Sequence, residues 1–323
     1  MKVKIEELQI LCQNILKKAG LSGEEAAIIT DDYIDAELRG KPSHGLASFS
    51  MVVNDAKHRG ISSVSFERGP VILFDGNGDI GHLVAYKAVE WAQSVCREFG
   101  IAIAGMRHIK RFATPGTVAW RAAGMEMISL VFEYGGKAFM APYGGSDPVM
   151  STNPIGIGIP TLDGPIILDM ASSERAFFFI SLAQKLGMDI PPTWGVDKDG
   201  KATTDPSKVN TILPFGGYKG YGLAFMLEIL TGPFLGVNVG LSGDLSHRGA
   251  LCIFLSPSTF GVSFDDFNYR VKQLISDVKS SRLADGHEHI FIPGEQSAIN
   301  RSKCIEAGSI DLDGETYANL KSL

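Results

Sequence analysis

The amino-acid sequence reads as an α/β chain with a helical start, on three observations. Apolar residues recur at helical spacing from Lys4 to Leu38. A strand, a glycine turn, a helix and a second strand follow one another between residues 71 and 106. Beyond residue 127, short apolar strands alternate with longer helical runs. With 323 residues, 45% hydrophobic and 20% charged, the chain can bury a large core as one elaborate domain or two modest ones.

The opening helical run is broken by LSGEE at 21–25, where Ser22 followed by Glu24 and Glu25 is an N-cap signature, so the start is a helical hairpin. VILFD at 71–75 is a strand, GNGDIG a turn, HLVAYKAVEWAQSVCREFG a helix and IAIAGM at 101–106 a strand, which makes one βαβ unit. AWRAAGM is helical, and MISLVFEY at 127–134, IGIGIP and PIILDMA at 165–171 are strands. Helices are predicted at 174–187 and 219–236; the second is apolar on nearly every side and is expected in the interior. LCIFLSP is a further strand and residues 263–282 form an amphipathic helix.

A formal charge of −6, with no block of like charge, lacks the basic stripe that a phosphate backbone demands, which argues against nucleic acid. No apolar run approaches the roughly 20 residues of a membrane span. The first twenty residues carry acids unlike a signal peptide, so a cytoplasmic address is expected. Cys12, Cys96, Cys252 and Cys304 lie far apart with no CxxC pair and read as reduced and structural.

Several stretches bear on chemistry. Gly76, Gly78 and Gly81 satisfy GxGxxG between a strand and a helix, but the next strand runs into Arg107 and His108 rather than the acid that a ribose requires, which favours a plain turn. His287 and His289 in HEHI share one face of a candidate strand without a third ligand, so a solvated loop is preferred to a metal site. STNPIGIGIP at 151–160 places glycine at alternate strand positions, which wastes packing unless something, such as a flat ligand, approaches the backbone. In PFGGYKGYGLAFMLEIL, glycines flank Lys219 at a helix start, where a cation is the wrong charge unless it meets an anion. His44 in KPSHGLASFS has small polar neighbours that leave the ring accessible. An imidazole titrating near neutrality suits proton transfer, although spacing alone fits a structural histidine equally well.

LRGKPSHGL, TNPIGIGIP, ILDMASS, GVDKDGKATTDP, LPFGGYKGYGLAFMLEILTGPFLG and IPGE, in this order, resemble the malate/L-lactate dehydrogenase family of the second type, over nearly the whole chain. That family also includes ureidoglycolate, sulfolactate and diketogulonate enzymes and cyclic-imine reductases. The resemblance implies an α/β fold that is not of the Rossmann type, with a mixed sheet, an N-terminal helical hairpin and a homodimer whose interface helps enclose the cofactor. It implies a helical segment 1–70 carrying SHG, a cofactor-binding sheet region 71–236, and a segment 237–323 packing back on both. It also implies hydride transfer with NAD or NADP and no metal. His44 then matches the proton donor, with Ser43 beside it and His108 as a second histidine near the substrate. Pro165, Ile166, Ile167, Leu168, Asp169, Met170 and Ala171 match the segment along the cofactor, together with Tyr218, Lys219, Gly294, Glu295 and Gln296. Asn153 and Pro154 match its nicotinamide side. Arg107, Lys110, Arg111 and Lys219 offer partners for a 2′-phosphate, which tilts the cofactor toward NADP.

The sequence departs from the family's pattern at the substrate. Ser48 stands where the family carries a carboxylate-gripping arginine, and a hydroxyl cannot copy a bidentate guanidinium. Lys110 and Arg111, in HIKRFATPG, can supply a substitute cation, and AFFFI at 176–180 suggests a larger or more apolar pocket. The expected activity is reduction of a 2-oxo acid or cyclic 2-imino acid, or the reverse oxidation of a 2-hydroxy acid. The alternatives are reduction of a non-carboxylate ketone or imine, and a non-catalytic cofactor-binding relative.

Overall fold

The computed structural model describes residues 1–323. A short strand β1 (Lys2–Lys4) leads into the hairpin α1 (Ile5–Lys18) and α2 (Gly23–Leu38). Ser22 caps α2: its hydroxyl accepts from the Glu25 amide while the Glu25 carboxylate accepts from the Ser22 amide. After two 3-10 turns, Pro42–His44 and Leu46–Ser48, come α3 (Phe49–Lys57), β2 (Ser63–Arg68), β3 (Val71–Asp75), α4 (Gly81–Phe99), β4 (Ile101–Ile109) and α5 (Pro115–Gly124). Next are β5 (Ile128–Glu133), β6 (Ile155–Ile159), β7 (Ile166–Met170), α6 (Phe177–Leu186), β8 (Gly195–Val196) and β9 (Thr211–Ile212). The chain closes with α7 (Tyr218–Thr231), β10 (Arg248–Leu255), α8 (Phe264–Lys279), α9 (Glu295–Ala307), β11 (Ser309–Asp311) and α10 (Gly314–Ser322).

Seven strands form one sheet in the order β2-β3-β4-β10-β5-β6-β7. Only β3 and β4, the expected βαβ unit, pair in parallel; every other neighbour is antiparallel. This is the mixed, non-Rossmann sheet that the resemblance implies, since a doubly wound dinucleotide sheet is mostly parallel. Strand alternation divides the core. On β10, Ala250, Cys252 and Phe254 join the cluster with α4 and α5, whereas Leu251 joins Leu227 of α7 on the opposite face. A second core packs α1–α3 with Ile310, Leu312, Tyr317 and Leu320, so β1 pairs with β11 and the two chain ends are tied together.

The structure corrects three sequence-based expectations. The alternate glycines of β6 admit protein rather than a flat ligand: a Cβ on Gly156 would lie 2.5 Å from the Pro115 backbone, and one on Gly158 2.5 Å from the Ala119 carbonyl, so α5 rests directly on the strand. The helix predicted over 219–236 stops at Thr231, before Gly232 and Pro233. Nor is α7 interior within one chain, because Tyr218, Phe225, Met226 and Ile229 are exposed. His287 and His289 lie on a loop, the reading preferred from the sequence. No helix is long and apolar enough to cross a membrane.

Candidate active site

The turn carrying His44 is anchored from behind. The Leu46 amide donates to Glu37 Oε1 of α2 at 2.6 Å. Gly45 is packed so tightly that a Cβ would lie 2.1 Å from the same oxygen, which is why glycine follows the histidine. Burial raises the pKa of the Glu37 carboxyl despite that amide. Leu46 and Phe49 are buried, whereas His44 itself is exposed to water at a cavity mouth. Protein still crowds the ring, and this desolvation lowers its pKa below the ordinary 6.5. The negative charge of Asp169 opposes the shift, and the positive charges of Lys41, His82 and Arg111 add to it.

Ser43, His44, Ser48, Asp32, His82, Arg111, Glu133 and Arg248 line a cavity of about 250 Å³. Only three of its sixteen lining residues are hydrophobic, so the pocket is polar, contrary to the expectation drawn from AFFFI. Those residues start α6 elsewhere, with Phe177 against Phe139, ring centres 5.7 Å apart.

The charged groups of the cavity are organised. His82 Nδ1 is 2.7 Å from Asp32 Oδ2, Arg121 donates to Asp32 Oδ1 at 2.5 Å, and Tyr33 stacks on the His82 ring at 5.4 Å. Arg248 donates to Glu133 Oε1 at 3.2 Å. Arg111 lies 3.4 Å from Asp55, and its buried Nε has no hydrogen-bond partner. Sequence reasoning missed Asp32, His82, Glu133 and Arg248, which come from α2, α4, β5 and β10. The only signal for any of them is polarity inside an apolar run, as at Glu133 in SLVFEY.

Other expected site residues fall in different places. His108 lies outside this cavity: its Nδ1 is 3.1 Å from Asp75, which also accepts from Arg107, and its ring meets His247 edge-on at 5.9 Å. The second histidine in the cavity wall is His82. Lys110 donates to the His58 carbonyl and does not reach the cavity, while Ser48 Oγ closes its own turn by donating to the Gly45 carbonyl at 3.0 Å. Asn153 is fully buried and donates to Glu228 at 2.6 Å, so Thr152 and Pro154, not Asn153, present the TNP segment to the cavity. The GNGDIG loop is a packed turn, with Asn77 and Gly78 at positive φ and the Gly76 amide donating to the Arg107 carbonyl at 2.8 Å.

Next to the cavity, β7 forms an open edge of the sheet with a helix start at each end. The Ile167 amide donates to the Pro293 carbonyl at 3.3 Å, placing Gly294, at φ 82°, before the first turn of α9. Beyond Met170 and Ala171, the Phe215 amide donates to the Ser172 carbonyl at 3.1 Å, which brings up Gly217, at φ 63°, and the first turn of α7. Between these ends Asp169 holds Lys41 of the SHG turn. A narrow crevice beside them is lined by Ile167, Gly294, Gly116 and Lys41 and shares Thr114 and Thr117 with the His44 cavity. Lys219 is exposed and has no carboxylate within ion-pair distance, whereas Glu295 is engaged by Lys279 and by the Ile292 amide at 2.8 Å. Those two contacts, with Lys279 the larger, lower its pKa. Gln296 donates to Asn300 at 3.3 Å.

A family model described as malate/L-lactate dehydrogenase matches residues 3–321. The chain belongs to this family. It is 34% identical to the L-sulfolactate dehydrogenase of Methanothermobacter thermautotrophicus, over 97% of this chain and 93% of the relative. Identity to the NAD(+)-dependent ureidoglycolate dehydrogenase of Escherichia coli is 29%, over 100% and 95% respectively. The solved sulfolactate dehydrogenase of Methanocaldococcus jannaschii superposes with a TM-score of 0.91 at 32% identity, covering 100% of this chain and 96% of that one. The chain is therefore an oxidoreductase.

Proposed function

We propose that this enzyme reduces 2-oxo acids or cyclic 2-imino acids with NADPH or NADH, and oxidises 2-hydroxy acids in reverse. The observation that carries this reading is an accessible His44 ring facing a polar cavity that also contains Arg111, whose buried Nε makes no hydrogen bond and only a 3.4 Å ion pair with Asp55. The residues along β7 suit a dinucleotide. A strand rises about 3.3 Å per residue, so Ile166 to Met170 of β7 spans roughly 13 Å before the chain bends at Ser172. At its far end, the Gly217 helix start and an unpaired Lys219 ammonium offer charge to phosphates. Gly294, beside Ile167, lines the other end.

A reduced nicotinamide, when bound, supplies the hydride that the substrate carbon accepts. Negative charge then builds on the substrate oxygen or nitrogen, and a ring nitrogen of protonated His44 delivers the proton that quenches it. Arg111 takes the substrate carboxylate, the role for which Ser48 is too short and Lys110 is misplaced. Lys219 is the residue we assign to a 2′-phosphate, because Arg107 and Lys110 are already engaged. We also propose a homodimer that covers the apolar face of α7, where Tyr218 is 63% and Met226 57% exposed, with Phe234 beyond it.

The test is NADPH and NADH absorbance against pyruvate, oxaloacetate, phenylpyruvate and piperideine-2-carboxylate, with His44→Ala as control. Turnover abolished in the variant while cofactor binding survives supports the reading. Equal turnover by both proteins overturns it.

A further inference from the structure

Glu133 and Arg248 are an ion pair built into the wall of the substrate cavity rather than into the core. They sit on neighbouring strands, with side-chain exposures of 8% and 14%, and only one hydrogen bond joins them, from Arg248 Nη1 to Glu133 Oε1 at 3.2 Å. Arg248 Nε makes a long contact of 3.4 Å to the Leu245 carbonyl. Glu133 Oε2 and Arg248 Nη2 have no partner within the chain, although the pair could have closed on itself with two parallel bonds. Neither free atom is fully buried, so the pair leaves one oxygen and one nitrogen accessible where both residues line the cavity that contains His44.

We propose that the Glu133–Arg248 pair reads the distal end of the substrate and selects a neutral group that accepts and donates together, a carboxamide, over a second carboxylate. This rests on the oxidoreductase reading above. An amide carbonyl accepts from Arg248 while the amide N–H donates to Glu133, whereas a carboxylate placed there meets an acceptor-only Glu133. Sites that hydrogen-bond a substrate N–H discriminate strongly, because the unmatched analogue leaves buried polar groups unpaired.

Burial raises the Glu133 pKa to about 7, against the opposing charge and hydrogen bond of Arg248. The other charged groups around it are Asp169 on β7, Arg111 after β4, His44 on its turn and the Asp32–His82 pair. Selectivity for the amide is therefore greatest above pH 7 and falls as Glu133 gains a proton below it. Protonation of His44 changes both rates together and cancels in their ratio.

The experiment compares kcat/KM for oxaloacetate, its isosteric 4-amide (2-oxosuccinamate) and pyruvate at pH 6 and pH 8.5. The expected result is a preference for the amide over oxaloacetate of at least tenfold at pH 8.5, smaller at pH 6. In Glu133→Gln, which leaves Arg248 without its counter-charge, the preference moves toward oxaloacetate and no longer depends on pH. Arg248→Met, checked for folding by circular dichroism, should lose the preference for the amide over oxaloacetate at both pH values. Pyruvate turnover without amide preference, or a preference unchanged in both variants, overturns the inference and leaves the oxidoreductase reading standing. No turnover of any 2-oxo acid overturns both.

Discussion

Replacing Arg111 by Gln tests most directly how the enzyme holds its substrate. The substitution keeps part of the bulk of the side chain and removes a cavity guanidinium that makes no hydrogen bond, its Nε reaching Asp55 only as a 3.4 Å ion pair, whereas Arg248 donates to Glu133 at 3.2 Å. A hydrogen bond to a charged group contributes about 1.5–3 kcal/mol net. At 1.36 kcal/mol per tenfold, Arg111→Gln should lower kcat/KM for a 2-oxo acid by about 10- to 150-fold. The loss should appear chiefly in KM, because a carboxylate grip binds ground state and transition state alike. Adding Ser48→Arg, at a position that lines the same cavity, should recover part of the loss. Steady-state kinetics with pyruvate, and with a methyl ketone as a substrate lacking the carboxylate, provide the assay. A fall of less than threefold, or an equal fall on the methyl ketone, refutes the assignment of Arg111 to the carboxylate.

His44→Ala should reduce kcat by about 10²–10⁴ while leaving cofactor binding, followed by NADPH fluorescence, within a few fold. The His44 pKa is lowered, so the protonated donor is present below that depressed value and is lost as pH rises through it. The rate of reduction should therefore fall with rising pH from a point below 6.5, a limb that disappears in the alanine variant. Lys219→Ala should raise KM for NADPH roughly tenfold more than KM for NADH, in line with the loss of one charge-assisted contact; parallel changes would remove the 2′-phosphate assignment. Gly156→Ala forces a Cβ to within 2.5 Å of the Pro115 backbone and should cost about 1–3 kcal/mol, read as a lower denaturant midpoint at an unchanged slope.

The sequence exposes whatever is decided over a few consecutive residues. The Ser22–Glu25 capping box, the βαβ run from Val71 and the small turn that leaves His44 accessible are all local, and each is in place. Pattern alone misjudges the β6 glycines, because nothing in IGIGIP says whether a ligand or a helix will lie against them; α5 does. Likewise α7 looks interior because apolar residues circle it, yet in one chain half of that surface is left uncovered.

By itself, then, the sequence determined the α/β class, the helical hairpin and the placement of an imidazole on a tight polar turn, since periodicity, capping and turn chemistry act between near neighbours. Only the tertiary structure decided the company that imidazole keeps. Strand order brings β10 between β4 and β5, which places Arg248 against Glu133, and packing of α2 against α4 joins Asp32 to His82. The cavity lining is assembled from residues as many as 216 positions apart, from Asp32 to Arg248, and their meeting is set by sheet order and packing, which no local window of sequence contains.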